Sequence, residues 1–185
     1  TVHRNLSLAY YNKCHDAQRA KEEMEKAFAL NTSDVRIFLE LDQLYKKLGW
    51  TFEQRLENYE AHRELIEGRD DLYIEYITLV NLCGNHEKAY ECIMGHHFHP
   101  WEGGEGKITT QYTLALLEMA RKADNKAPAV SVLEGDIAFA RKDIGKACQL
   151  YEQAIYFDSN YKDAYLKYAQ AYKSASPSQA IEKLN

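Results

Sequence analysis

The sequence predicts an all-α fold, a superhelical array (solenoid) of about five antiparallel helix pairs, interrupted once by a glycine- and aromatic-rich loop and a long extra helix. Three observations predict it. Turn residues are scarce: three prolines and nine glycines in 185 residues, about half of ordinary usage and too few for a many-stranded β fold. Hydrophobic residues make up 45% of the chain, enough to build a core and too many for a disordered segment. Small and bulky residues also alternate at helical spacing, and the pattern returns after about 34 residues.

The elements follow in order. Leu6-Ser7-Leu8-Ala9-Tyr10-Tyr11 leads to Ala20, Met24, Ala27 and Leu30, with one extra residue between the two helices. Phe38-Leu39-Glu40-Leu41, Tyr45 and Gly49 form the next unit, whose second helix carries Ala61. Tyr73, Tyr76, Ile77 and Val80 precede the turn at Gly84 and the small residue Ala89. Further on, Gly135 is followed by Ala147, Tyr151 and Ala154, and then by Tyr165, Ala169 and Tyr172. Repeats therefore start near residues 1, 35, 70, 128 and 162, and residues 1–185 read as a single helical array. The interval between 70 and 128 is too long for one repeat. It holds a short helix over about 86–94, an irregular insertion over about 95–107, and a long helix reaching about 123. Ser33 or Asp34, Thr51, and Asp70 or Asp71 are the expected N-caps, since a short side-chain oxygen can accept from the first free helix N–H groups.

These residues resemble the tetratricopeptide repeat, a helix–turn–helix unit of 34 residues. In that family the eighth, twentieth and twenty-seventh positions are small, and the fourth, eleventh and twenty-fourth are bulky. Small residues let the paired helices approach, and bulky ones fill the neighbour's holes. The resemblance implies a non-catalytic interaction scaffold that holds a protein or peptide on a concave face. Tyr10, Tyr45, Tyr73, Tyr76, Tyr165, Tyr168 and Tyr172 fall at or beside packing positions, so most should be core or half-buried. The family's carboxylate clamp for chaperone C-termini is absent: its positions hold Leu39 and Gln43, Ile74 and Thr78, Val132 and Asp136, and Asp163 and Lys167.

One segment departs from the repeat. Residues 96–112 hold three of the seven histidines, one of the two tryptophans and three of the nine glycines. Loops of this composition on a rigid scaffold are where binding tends to reside. Its sequence, Phe98-His-Pro-Trp-Glu-Gly-Gly-Glu-Gly-Lys107 with Gln111-Tyr112, resembles a segment of large bacterial multidomain proteins. In those, domain of unknown function 5107 precedes a tetratricopeptide array. That resemblance implies that a missing N-terminal domain of the same polypeptide, or carbohydrate, is a candidate partner. It also implies an alternative function, a helical accessory domain of a carbohydrate-active enzyme whose loop from His97 to Lys107 contributes to a sugar or anion site.

Three chemical readings of the loop stand side by side. It fails as a nucleotide phosphate loop, because the residue five before Gly106 is Trp101 and Ile108 follows Lys107. A weaker anion site at the start of the long helix, beside Lys107, remains. His97, His99, Glu102 and Glu105 offer nitrogen and oxygen donors for a metal, although no metal or cofactor is expected. Phe98, Pro100 and Trp101 can instead plug the groove between flanking repeats. The candidate partner-binding residues are His97, His99, Trp101, Glu102, Glu105 and Lys107, and no residue is assigned a catalytic role.

Composition narrows the remaining classes. Twenty-three Lys and Arg against twenty-eight Asp and Glu give a net charge of −5, unlike the basic footprint of a nucleic-acid binder. No apolar run reaches the length of a membrane span. Cys14, Cys83, Cys92 and Cys148 have no metal-site spacing and read as small buried hydrophobes in a reducing, cytoplasmic compartment. No Ser-His-Asp or Cys-His set appears; Cys14 and His15 are neighbours on one helix and point apart. The carboxylates are spread over helix faces at spacings that pair them with Lys or Arg. The opening Thr-Val-His-Arg reads as the inside of a helix, so a fragment of a longer bacterial protein is expected. Its terminal repeats should then expose apolar edges that favour self-association.

Overall fold

A computed structural model describes residues 1–99 and 104–175. Pro100, Trp101, Glu102, Gly103 and the closing helix expected near 181–184 lie outside the described residues. Among the described residues the chain is all-α, without a strand. The helices are α1 (Val2–Asn12), α2 (Ala17–Leu30), α3 (Val35–Lys47), α4 (Phe52–Ala61), α5 (Arg63–Glu67), α6 (Asp70–Leu82), α7 (His86–Gly95), α8 (Glu105–Ala123), α9 (Pro128–Ala140), α10 (Ile144–Phe157) and α11 (Lys162–Ala175). They fall into two compact units. The first holds α1 to α6 with Phe98 and His99, and the second holds α7 to α11.

Four helix-to-helix turns share one chemistry. Each places a residue in the left-handed region shortly before an N-cap: His15 (φ 53°), Gly49 (φ 78°), Gly84 (φ 82°) and Lys142 (φ 65°). The caps that follow are Asp16, Thr51, Asn85 and Asp143, each accepting a backbone N–H from the first turn of the next helix. Thr51 and Gln54 complete a reciprocal capping box. Asp34 caps α3 by accepting from the N–H groups of Arg36 and Ile37.

In the first unit α1 packs on α2, α2 on α3, α3 on α4, and both α4 and α5 on α6. Ser7 and Ala20 are buried where α1 meets α2, and the Ser7 hydroxyl donates to the Ala20 carbonyl at 2.6 Å. Where α3 meets α4 the contact is ionic. Arg55 and Asp42, 2% and 3% exposed, form a bidentate pair at 2.8 and 2.6 Å. Arg55 also donates to Glu75 of α6 at 2.7 Å, and the Tyr59 hydroxyl donates to Asp42 at 3.1 Å. Burial opposes the charge on Arg55, but its bonds to Asp42 and Glu75 outweigh that and raise its pKa. Nearby rings interlock: Phe28 with His62 and Phe38 with Tyr59 pack edge to face, while Phe38 lies tilted against Phe28 and His62.

In the second unit α7 packs on α8, α8 on α9, α9 on α10, and α10 on α11. Here the contacts are closed by small residues: Ala147, Ala154, Ala164 and Ala171 are fully buried. The Tyr151 ring lies over Gly135, so close that a Cβ built there would sit 2.4 Å from its Cε1.

Several expectations are corrected. Asp70 does not cap α6; the N-cap is Arg69, and Asp70 lies buried inside the first turn. Leu30 is 76% exposed because α2 turns its last residue outward, and Tyr165 is 48% exposed. Ala61 and Ala169 are exposed too: in the α3–α4 pair the buried places go to Arg55 and Tyr59 instead. Cys14 is exposed, and the other three cysteines are only partly buried. A break at His62, with the short α5 after it, was not anticipated. Val2 and Leu166 are exposed, at 71% and 58%.

Candidate binding groove

Phe98 and His99 belong to the first unit. Phe98 is half-buried, its ring packing against Tyr73 at 6.1 Å between centroids. The backbone N–H of His99 donates to Asp70 at 2.5 Å, and the His99 Nδ1 lies 3.3 Å from the same carboxylate oxygen. This explains why a carboxylate sits buried in the first turn of α6. His97 is exposed, as are Glu105 and Lys107 in the first turn of α8. Trp101 and Glu102 lie outside the described residues. Among the described residues there is no cluster of three potential metal ligands.

A concave feature lies elsewhere, inside the second unit. A groove of about 670 Å³ runs between α8, α9 and α11, within the range of small-molecule and peptide pockets. Each wall is one helical stripe. On α8, Thr109, Tyr112, Thr113 and Leu116 follow the i, i+3, i+4, i+7 rule, and on α9, Leu133, Asp136, Ile137 and Ala140 do the same. α11 supplies Lys167 and Gln170, and Tyr151 of α10 reaches in from below. The sequence forms this hollow because α8 presents threonines, which are short, where a leucine face would have filled the space.

The floor is polar and internally satisfied. Asp136 accepts from the Tyr151 hydroxyl at 2.8 Å and from Lys167 at 2.9 Å. Burial, with the bond to Asp136 second, pushes the Tyr151 pKa well above its ordinary value, so the hydroxyl stays protonated and donating. The hydroxyls of Thr110 and Thr113 donate back to the carbonyls of Gly106 and Thr109 at 2.7 and 2.8 Å. Their lone pairs remain available to accept. The Tyr112 ring packs tilted against that of Tyr90, 5.6 Å between centroids. A floor with its only carboxylate tied to a lysine and a tyrosine suits binding better than proton transfer.

None of these groove residues was among the candidate site residues, although Gly106, Thr109, Thr110 and Tyr112 fall within the segment 96–112 that departs from the repeat. The periodic stripe on α8, beginning directly after the irregular loop, was the available signal.

No protein-family model matches the chain. Among solved structures, the crystal structure of MamA protein aligns with 13% sequence identity over 98% of this chain and 85% of that chain, with a TM-score of 0.44. No helix among the described residues is long and apolar enough to cross a membrane.

Proposed function

We propose that the chain is a non-catalytic interaction scaffold, and that its second unit holds an extended peptide segment of a partner protein in the groove between α8, α9 and α11. The observation that carries this reading is the groove itself. Three helices contribute aligned stripes, apolar at Leu116, Leu133 and Ile137, with hydroxyl and amide groups at the margins. Side-chain hydroxyls and the Gln170 amide are suited to the N–H and C=O groups of an extended backbone, and the apolar stripes to its side chains. An all-α array with no acid–base pair in the hollow favours binding over catalysis.

The test is selection from a phage-displayed library of short random peptides on immobilised protein, followed by titration of selected peptides. Filling the groove with Thr113→Trp should abolish binding of the selected peptides while the circular dichroism spectrum is retained. Peptides that bind the filled variant equally well would sink the reading.

A further inference from the structure

Arginine usage in this chain is selective. Seven of its arginines have a carboxylate within ion-pair distance, from Arg4 with Glu40 to Arg121 with Glu134. Arg141 is the eighth. It is exposed, it lines the groove, and among the described residues no ion pair or side-chain hydrogen bond holds it. The nearest acidic residue in sequence, Asp143, is engaged as the N-cap of α10, accepting from the Lys146 N–H at 3.2 Å. The backbone beneath Arg141 is fixed, since its N–H bonds to the Ile137 carbonyl at 3.1 Å.

The other two charges in the groove cancel. Lys167 is bound to Asp136, whose second oxygen is taken by Tyr151. The lining thus carries one uncompensated positive charge, on a chain whose net charge is −5. A guanidinium presents five N–H donors in a planar fork that matches a carboxylate. Resting on the groove reading above, we propose that the bound segment is acidic. An aspartate or glutamate of the partner pairs with Arg141, while a neighbouring apolar side chain lies along Leu133 and Ile137.

The selection from random peptides tests this with three proteins: wild type, Arg141→Glu and Thr113→Trp. Wild type should enrich peptides bearing Asp or Glu next to an apolar residue. Arg141→Glu should bind those peptides at least about tenfold more weakly, one charge pair being worth that order, and should itself enrich Lys- or Arg-bearing sequences. The loss should shrink as salt rises. Because Arg141 is exposed, its melting temperature should stay unchanged. Peptides that are lost on Thr113→Trp but indifferent to Arg141→Glu would overturn the acidic assignment and leave the groove reading standing. Failure to enrich anything, or enrichment insensitive to Thr113→Trp, would overturn both.

Discussion

The α3–α4 and α9–α10 pairs solve one packing problem in opposite ways. Both bring two short helices together across a turn with a left-handed residue. In α9–α10 the approach is made by deletion of side chain, with Gly135 under the Tyr151 ring and Ala147 and Ala154 fully buried. In α3–α4 the same space holds charge, Asp42 clasped by Arg55 and trimmed by Tyr59 and Glu75. The first solution is tolerant of chemistry and intolerant of volume. The second is the reverse: a buried pair adds little over apolar packing, yet leaving one member alone is severe.

The largest effect should come from breaking the ionic contact. Arg55→Ala leaves Asp42 buried with only a tyrosine hydroxyl, and should cost about 3–5 kcal/mol in urea unfolding. The double variant Asp42→Leu with Arg55→Met should recover most of that loss, since Glu75 retains Lys46 at 3.7 Å. A single-variant cost under about 1 kcal/mol, the range of an exposed pair, would mean the contact is not desolvated.

Volume is the next lever. Gly135→Ala places a methyl against the Tyr151 ring and should cost about 1–3 kcal/mol despite alanine's better helix propensity. Tyr151→Leu in the same chain should relieve much of it. Gly145→Ala on α10, where a Cβ meets nothing within 4 Å, should instead gain up to about 1 kcal/mol. Equal effects at the two glycines would refute the close-approach account.

Base titration separates the two regions again. Burial and Asp42 raise the Tyr59 pKa in the first unit. In the second, the hydrogen bond to Glu152, aided by burial, raises that of Tyr168 to about 12. A folded pKa above the unfolded value, about 10, means the stabilisation is complete below pH 10 or so and is lost as pH climbs toward the folded value. Phenolate absorbance should therefore lag for these tyrosines until the helical signal falls. Tyr168→Phe should shift the alkaline unfolding midpoint less than Tyr59→Phe, because Tyr59 is fully buried.

The all-α class was legible in the sequence because its signals are local. Small residues at Ala20, Ala89 and Ala147 are buried, and Asp34 and Thr51 cap the helices they precede. Asp42 and Arg55 were not legible as a pair: each alone reads as a solvated helix charge, and only their shared burial reveals the contact. Asp70 looked like a cap because caps and buried first-turn carboxylates share residue type and position; what distinguishes it is His99, 29 residues away. The loop around His97 and Lys107 attracted notice by composition, whereas the groove comes from threonine on α8 meeting α9 and α11. Concavity of that kind depends on three helices at once, and no single stretch encodes it.

The smallest predicted effect concerns the turns of the same two pairs. Gly49 occupies the left-handed position between α3 and α4, and Lys142 occupies it between α9 and α10, at φ 78° and 65°. A side chain in that region crowds its own carbonyl at about 1–2 kcal/mol, and glycine avoids this while adding about 0.5–1 kcal/mol of unfolded-chain entropy. Lys142→Gly should then stabilise by about 0.5–1 kcal/mol, and Gly49→Lys should destabilise by a similar amount. Both positions are exposed and a Cβ at Gly49 touches nothing within 4 Å, so no packing change obscures the comparison. Thermal melts of the two single variants measure it directly. Opposite signs support a shared turn conformation in both pairs; matching signs would show that one of the two turns takes a different backbone in solution.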